Sequence, residues 1–166
     1  MNGGGVTGAK RVAQAGSPHP DLEPVDAAFE PADPADLQAL EALSRSRLPP
    51  EFVDFVGRFG RSACGGEATI VDASGVRRDI LTFYSTREAL ADLRAHVDYV
   101  ENRYLPVACS AFGDRYVIAL DSGQVCFILY LHGRCELSHV ADSFSAFLAA
   151  IEVRPHEDEL LHLTRE

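Results

Sequence analysis

No stretch of apolar residues in this 166-residue chain approaches the ~20 that a bilayer-spanning helix needs. The N-terminal run MNGGGVTGAKRVAQAGSPHP has Lys10 and Arg11 but lacks the apolar centre of a secretory signal. These two absences predict a cytoplasmic location. No two of the cysteines, Cys64, Cys109, Cys126 and Cys135, are close enough for a CxxC metal knuckle or redox pair. Without an export signal, disulfides are not expected. Cys109 and Cys126 fall in strand-like segments and read as small buried hydrophobes. Phosphate-cradling loops are missing as well. Gly3-Gly4-Gly5 lies in an irregular segment, and Cys64-Gly65-Gly66 precedes a strand, not a helix whose N-terminus could meet a phosphate.

Positive charge is in short supply. There are 15 Lys plus Arg against 25 Asp plus Glu, a net charge of −10 at pH 7. Arg77-Arg78 is too small a basic patch for nucleic acid. So acidic a surface repels phosphate backbones and anionic membranes, and it favours a basic macromolecular partner. The same charge also serves plain solubility. What remains is ordinary: 46% apolar residues, and a length that fits one domain with a real core.

The centre of the fold is Phe112 to Leu131, FGDRYVIALDSGQVCFILYL. Tyr116, Ile118 and Leu120 alternate along one strand, Asp121-Ser122-Gly123 is turn chemistry, and Val125 to Leu131 is apolar throughout. A strand apolar on both sides is covered on both faces, which predicts a hairpin inside the sheet with helices above and below.

Residues 1–32 show no period and read as a flexible arm. Asp33 suits an N-cap and Pro34 a first helical position, followed by Leu37, Leu40 and Leu43. Leu48-Pro49-Pro50 starts a second helix with Phe52, Phe55, Val56 and Phe59 on one stripe, closed by Gly60. Ala68 to Asp72 and Val76 to Phe83 read as two strands. Ser85 and Glu88 form a capping box for a helix with Leu90, Leu93, Val97 and Val100 inward. A strand reaches Cys109 before the central hairpin. His132-Gly133 then turns into a strand from Arg134 to Val140. Asp142-Ser143 caps a last helix with Phe144, Phe147, Leu148 and Ile151 inward. Leu160, Leu161 and Leu163 offer a short helix in a charged tail, residues 154–166, leaving 33–153 as the domain. Mostly antiparallel strands with helices bunched at the ends and one inserted make an α+β fold.

Catalytic constellations are hard to find. Cys135 and His139 have no third ligand nearby, and zinc needs three or four. Cys126, His132 and Asp121 could be drawn as a triad, but an apolar run makes a thiol inert, and neither a nucleophile elbow nor an oxyanion-type glycine cluster lies beside it. Asp98 and Glu101 read as solvated. The expectation is a protein with no catalytic residue, cofactor or metal.

The segment DLQALEALSRSRLPPEFVDFVGRFG, through Glu41, Leu48, Pro49, Phe52, Phe55 and Gly60, resembles the opening of SUKH-superfamily domains (the Smi/Knr type). Gly113, Asp114, Asp121 and Gly123 are similar to that family's central hairpin. VADSFSAFLAAI, with Ser143, Phe144, Phe147 and Leu148, is similar to its closing helix. The likeness spans about residues 33 to 152. The chain departs from it in having no Trp, and in showing Arg61 to Gly66 where Asn-Gly-Gly is usual. The resemblance implies a single, mostly antiparallel sheet of about six strands wrapped by N-terminal, inserted and C-terminal helices. It also implies an immunity protein that binds and neutralises a cognate toxin, commonly a nuclease or nucleic-acid deaminase; some relatives are instead regulatory interaction modules. Glu67, Asp72, Asp79 and Asp114 flank strands in turns and are the expected partner-binding acids, although each also reads as a solvated turn residue.

Overall fold

Asp33 and Pro34 start the first helix as their chemistry predicts. In the computed structural model, which describes residues 22–26, 28–131 and 134–155, helix α1 runs Pro34–Ser44. The Asp33 carboxylate accepts from the Ala35 amide at 2.8 Å. Arg45 takes a left-handed conformation and ends the helix. Glu41 then reaches past the break, and its carboxylate accepts from the Leu48 amide at 3.2 Å. Helix α2 (Pro50–Arg58) follows at once.

The Phe stripe of α2 is buried as its spacing predicts: Phe52, Phe55, Val56 and Phe59 all lie in the core. Helix α5 (Phe144–Ala149) supplies Phe144 and Phe147 to the same cluster. Ser143 caps α5 by accepting from the Ala146 amide at 3.0 Å. Glu51 of α2 ties the two helices together, accepting from the Ser145 amide at 2.9 Å.

The fold is α+β, with a large antiparallel sheet as the resemblance implies. Its strands are β1 (Leu22–Pro24), β2 (Ser62–Cys64), β5 (Thr82–Phe83), β6 (Tyr104–Cys109), β7 (Arg115–Ala119), β8 (Val125–Leu131) and β9 (Arg134–Ala141), in the spatial order β1-β2-β5-β6-β7-β8-β9. The central hairpin is β7–β8, and Tyr116, Val117 and Ile118 are all fully buried, so both faces of β7 are covered. Tyr116 meets Phe147 on one face at 5.3 Å between ring centres. Helices α3 (Thr86–Ala95) and α4 (Val97–Glu101) pack on the other side, where Arg115 of β7 reaches Asp92 of α3.

The structure departs from the sequence reading in four places. The large sheet, of seven strands among the described residues, agrees with the expected six or so, but a second sheet stands beside it, of order β10-β3-β4, formed by β3 (Glu67–Val71), β4 (Arg77–Ile80) and β10 (Glu152–Arg154). The segment Val76 to Phe83 is not one strand. It breaks at Leu81, whose amide turns to the Cys109 carbonyl at 2.8 Å, so β4 belongs to the small sheet and β5 to the large one.

Second, the segment read as a flexible arm, residues 1–32, contributes structure at its end. Leu22–Pro24 pair with Ser62–Cys64, and Phe29 packs edge-on against Phe59 at 5.4 Å. Three residues are too few to show a period. Third, the boundary at 153/154 falls inside β10. The remainder of the arm, the His132-Gly133 turn and the expected short helix at Leu160, Leu161 and Leu163 lie outside the described residues.

Fourth, the inserted helix stops at Ala95. The Ser85–Glu88 capping box is present, but His96 is extended at φ −123° and ψ 90°. The chain restarts as α4 on a new axis. Tyr99 is therefore buried and Val97 is two-thirds exposed, the reverse of what a continuous helix would give.

Candidate functional site

Four carboxylates were expected to meet a partner, and the structure separates them. Glu67 is exposed at the start of β3. Asp72 is buried at 4% and acts as the hub of the β3–β4 turn. It accepts from the Ser74 amide (2.9 Å), the Ser74 hydroxyl (2.5 Å) and the Val76 amide (3.0 Å), and pairs with Arg78 at 3.0 Å. Asp114 is buried at 7%, accepting from the Ser110 hydroxyl at 3.2 Å and the Tyr130 amide at 3.0 Å. Asp79 is half-buried and accepts from the Ala111 amide at 2.6 Å. Asp72 and Asp114 are thus withdrawn from the accessible set: a turn acid that faces inward to fix backbone looks in sequence like one that faces solvent.

Burial alone would raise the Asp72 carboxyl, but the Ser74, Val76 and Arg78 hydrogen bonds outweigh it and hold it below the usual carboxylate range. A depressed folded value means that Asp72 contributes its full stabilisation above the ordinary carboxylate pKa, and loses it as pH falls through the lower folded value. Asp72→Ala should therefore cost about 1.5–3 kcal/mol at neutral pH, the usual worth of hydrogen bonds to a charged group. The gap to wild type should narrow in acid below the ordinary carboxylate value. Equal stability of the two at pH 7 in denaturant titrations would show that the hub contributes nothing.

The residues drawn together on paper as catalytic are not so arranged. Cys126 lies near the start of β8 and is buried, and burial pushes its thiol up. Asp121 is exposed at the β7–β8 turn and pairs with Arg103 at 2.6 Å. His139 stands opposite Cys126 in the ladder but reaches Asp142 at 3.2 Å. His132 lies outside the described residues. Among the described residues, no three His, Cys, Asp or Glu side chains converge as metal ligands.

A second polar cluster escaped the sequence reading. Arg115 donates to both oxygens of Asp92, at 2.6 and 3.2 Å, and His96 sits 3.6 Å from the same carboxylate. Tyr99 and Tyr130 share a hydroxyl–hydroxyl hydrogen bond beside them. Burial pushes the Tyr99 phenol up, so it stays protonated at neutral pH. Burial alone would lower the Arg115 guanidinium, but Asp92 outweighs it and raises it. Each polar group is already partnered, and the cluster fastens α3 and α4 to β7 and β8.

What the surface offers is contact area. Between α4 and β9 lies a shallow trough lined by Asp98, Asn102, Tyr104, Ile128, Glu136 and Leu137. Asp98 and Glu136 are exposed on its rim, and neither is ion-paired among the described residues. Leu137 is half-exposed within it. At the end of the sheet, the turn between β6 and β7 carries Phe112, which is 89% exposed. One sequence signal could have found it: an aromatic in a turn, between Ala111 and Gly113, belongs to neither strand's alternation.

Comparison with known families adds one match. The family model described as SMI1 / KNR4 family (SUKH-1) matches residues 31–150. Of the described elements, the span takes in α1 through α5 and leaves out β1 and β10. No curated protein matches the chain.

Proposed function

Because the chain belongs to the SMI1 / KNR4 family (SUKH-1), matched over residues 31–150, we propose that it is an immunity protein that neutralises a cognate toxin by direct, stoichiometric binding. The observation that carries this reading is the extent of the match, which covers both helical packing layers and the central hairpin. The net charge of −10 supports a basic partner. A nuclease or nucleic-acid deaminase has a basic substrate cleft, and an acidic inhibitor would be steered towards it. Association would then exceed the ~10⁵–10⁶ M⁻¹s⁻¹ of a neutral pair and fall as salt is added.

Glu67, Asp98 and Glu136 are exposed acids, not ion-paired among the described residues, that we take to contribute to this steering. Reversing all three to Lys should slow association with the product of the adjoining gene at least tenfold at low salt, and flatten its salt dependence. Melting should be unchanged, since exposed charges contribute little to stability. Identical association kinetics in the triple variant would remove these acids from the mechanism. The immunity reading itself fails if that gene product neither binds the protein nor harms cells lacking it. Binding without toxicity would instead identify a regulatory interaction module.

A further inference from the structure

We propose that the β6–β7 turn, Ser110 to Asp114, is a preformed anchor that seats Phe112 in an apolar pocket with a basic rim on the partner. This inference rests on the immunity reading and names its point of contact.

The turn is locked by its own hydrogen bonds. The Ser110 hydroxyl accepts from the Phe112 amide at 3.2 Å and the Asp114 amide at 3.1 Å. The Ser110 carbonyl accepts from the Gly113 amide at 3.2 Å, and the Ala111 amide is taken by Asp79. Every amide from Ala111 to Asp114 is therefore satisfied within the chain. Gly113 holds φ +87°, a conformation that side chains with a Cβ rarely adopt, and Arg115 donates to its carbonyl. The frame beneath is equally fixed. Ser110 and Asp114 are buried, and the Asp79 carbonyl accepts from the hydroxyl of fully buried Tyr116 at 2.7 Å.

On this rigid mount stands a phenylalanine that the fold does not use. Phe112 is far more exposed than any other large apolar residue described; Val97, at 67%, is next. Leu81, half-exposed, lies beside the turn through its bond to Cys109. Interfaces concentrate their binding energy in aromatic anchors, and an anchor held in place before contact loses little entropy on binding. The charge beneath decides the partner's chemistry. Asp79, half-buried at the foot of the turn, hydrogen-bonds to a neutral donor and is not ion-paired among the described residues. Arg115, whose guanidinium also reaches the Gly113 carbonyl, is already neutralised by Asp92, so the apolar tip stands on a base that Asp79 leaves negative, on a chain of net charge −10, and this complements an apolar pocket bordered by Arg or Lys.

The test titrates the full chain against the purified product of the adjoining gene. Phe112→Ala should weaken binding about 30-fold or more, through faster dissociation, with unchanged melting. The loss should be independent of salt, unlike that of the charge-reversed triple variant. Val76→Ala, which trims an exposed apolar residue at the far end of β4, should stay within twofold. Asp79→Ala, which frees the Ala111 amide and loosens the turn, should weaken binding with Phe112 still present. If wild type binds and Phe112→Ala binds within threefold of it, the anchor is refuted and the immunity reading stands. If wild type does not bind, that reading fails and the anchor falls with it.

Discussion

Replacing Phe144 by alanine should destabilise the domain by about 3–5 kcal/mol, the usual cost of removing a buried phenylalanine. Phe144 is 1% exposed and lies between two helices. Its ring meets Phe55 at 5.3 Å and Phe52 at 5.9 Å, both nearly perpendicular, and Phe147 at 6.0 Å on its own helix. Such edge-to-face pairs add to simple area burial. Three rigid rings cannot close into the space of a fourth, so the cavity should persist and the loss fall in the upper part of the range. The denaturant midpoint should drop with little change in slope. A loss under about 1 kcal/mol would mean that α5 is not pinned by this cluster. The comparison with Phe112 is instructive: the same truncation, made at the surface, should leave melting untouched.

Gly60→Ala should cost about 2–4 kcal/mol, from two penalties acting together. Gly60 follows the end of α2 at φ +54°, where L residues are strained. A Cβ there would also fall 1.9 Å from the Glu30 carbonyl oxygen. That oxygen is backbone and cannot rotate away. The segment from Glu30 into α1 would have to shift, and with it the bond from the Ala32 amide to the Val56 carbonyl. The control is Gly57→Ala on the same helix, where a Cβ would meet nothing within 4 Å. It should be neutral or stabilise by about 0.5–1 kcal/mol. If Gly60→Ala melts like Gly57→Ala, the close approach of the two segments is not a constraint on the fold.

How much of this could be read from the residues follows the range of the interactions. Asp33 on Ala35, Ser85 with Glu88, and Ser143 on Ala146 act over two or three positions, and each was legible. The Phe52–Phe59 stripe was legible because a helix repeats its buried face. The switch of sheets at Leu81 depends on Cys109, far along the chain, and no local pattern marks it. The break at His96 was missed because Val97 and Val100 continue the apolar spacing, while the backbone leaves the helix between them and Leu93. The candidate site fared worse. Asp72 and Asp114 sit in turns, as expected, but which way a turn acid faces is settled by what packs around it. Phe112 went unread as a site because its one signal, falling outside the alternation of either strand, is the absence of a period and not a pattern.

The pairing of β10 with β3 also sets a timetable for synthesis. Glu152, Val153 and Arg154 align with Thr69, Ala68 and Glu67. The β3–β4 hairpin can form as soon as Ile80 leaves the ribosome, but the other edge of β3 has no partner until Arg154 follows. Residues 81 to 154 must be made in that interval, which at ~5–20 residues per second takes roughly 4–15 s. For that interval β3 is an open edge bearing Ala68 and Ile70, able to pair with any nascent strand nearby. Slower elongation through this stretch should lower the yield of folded protein, and supplying residues 152–154 earlier by circular permutation should restore it.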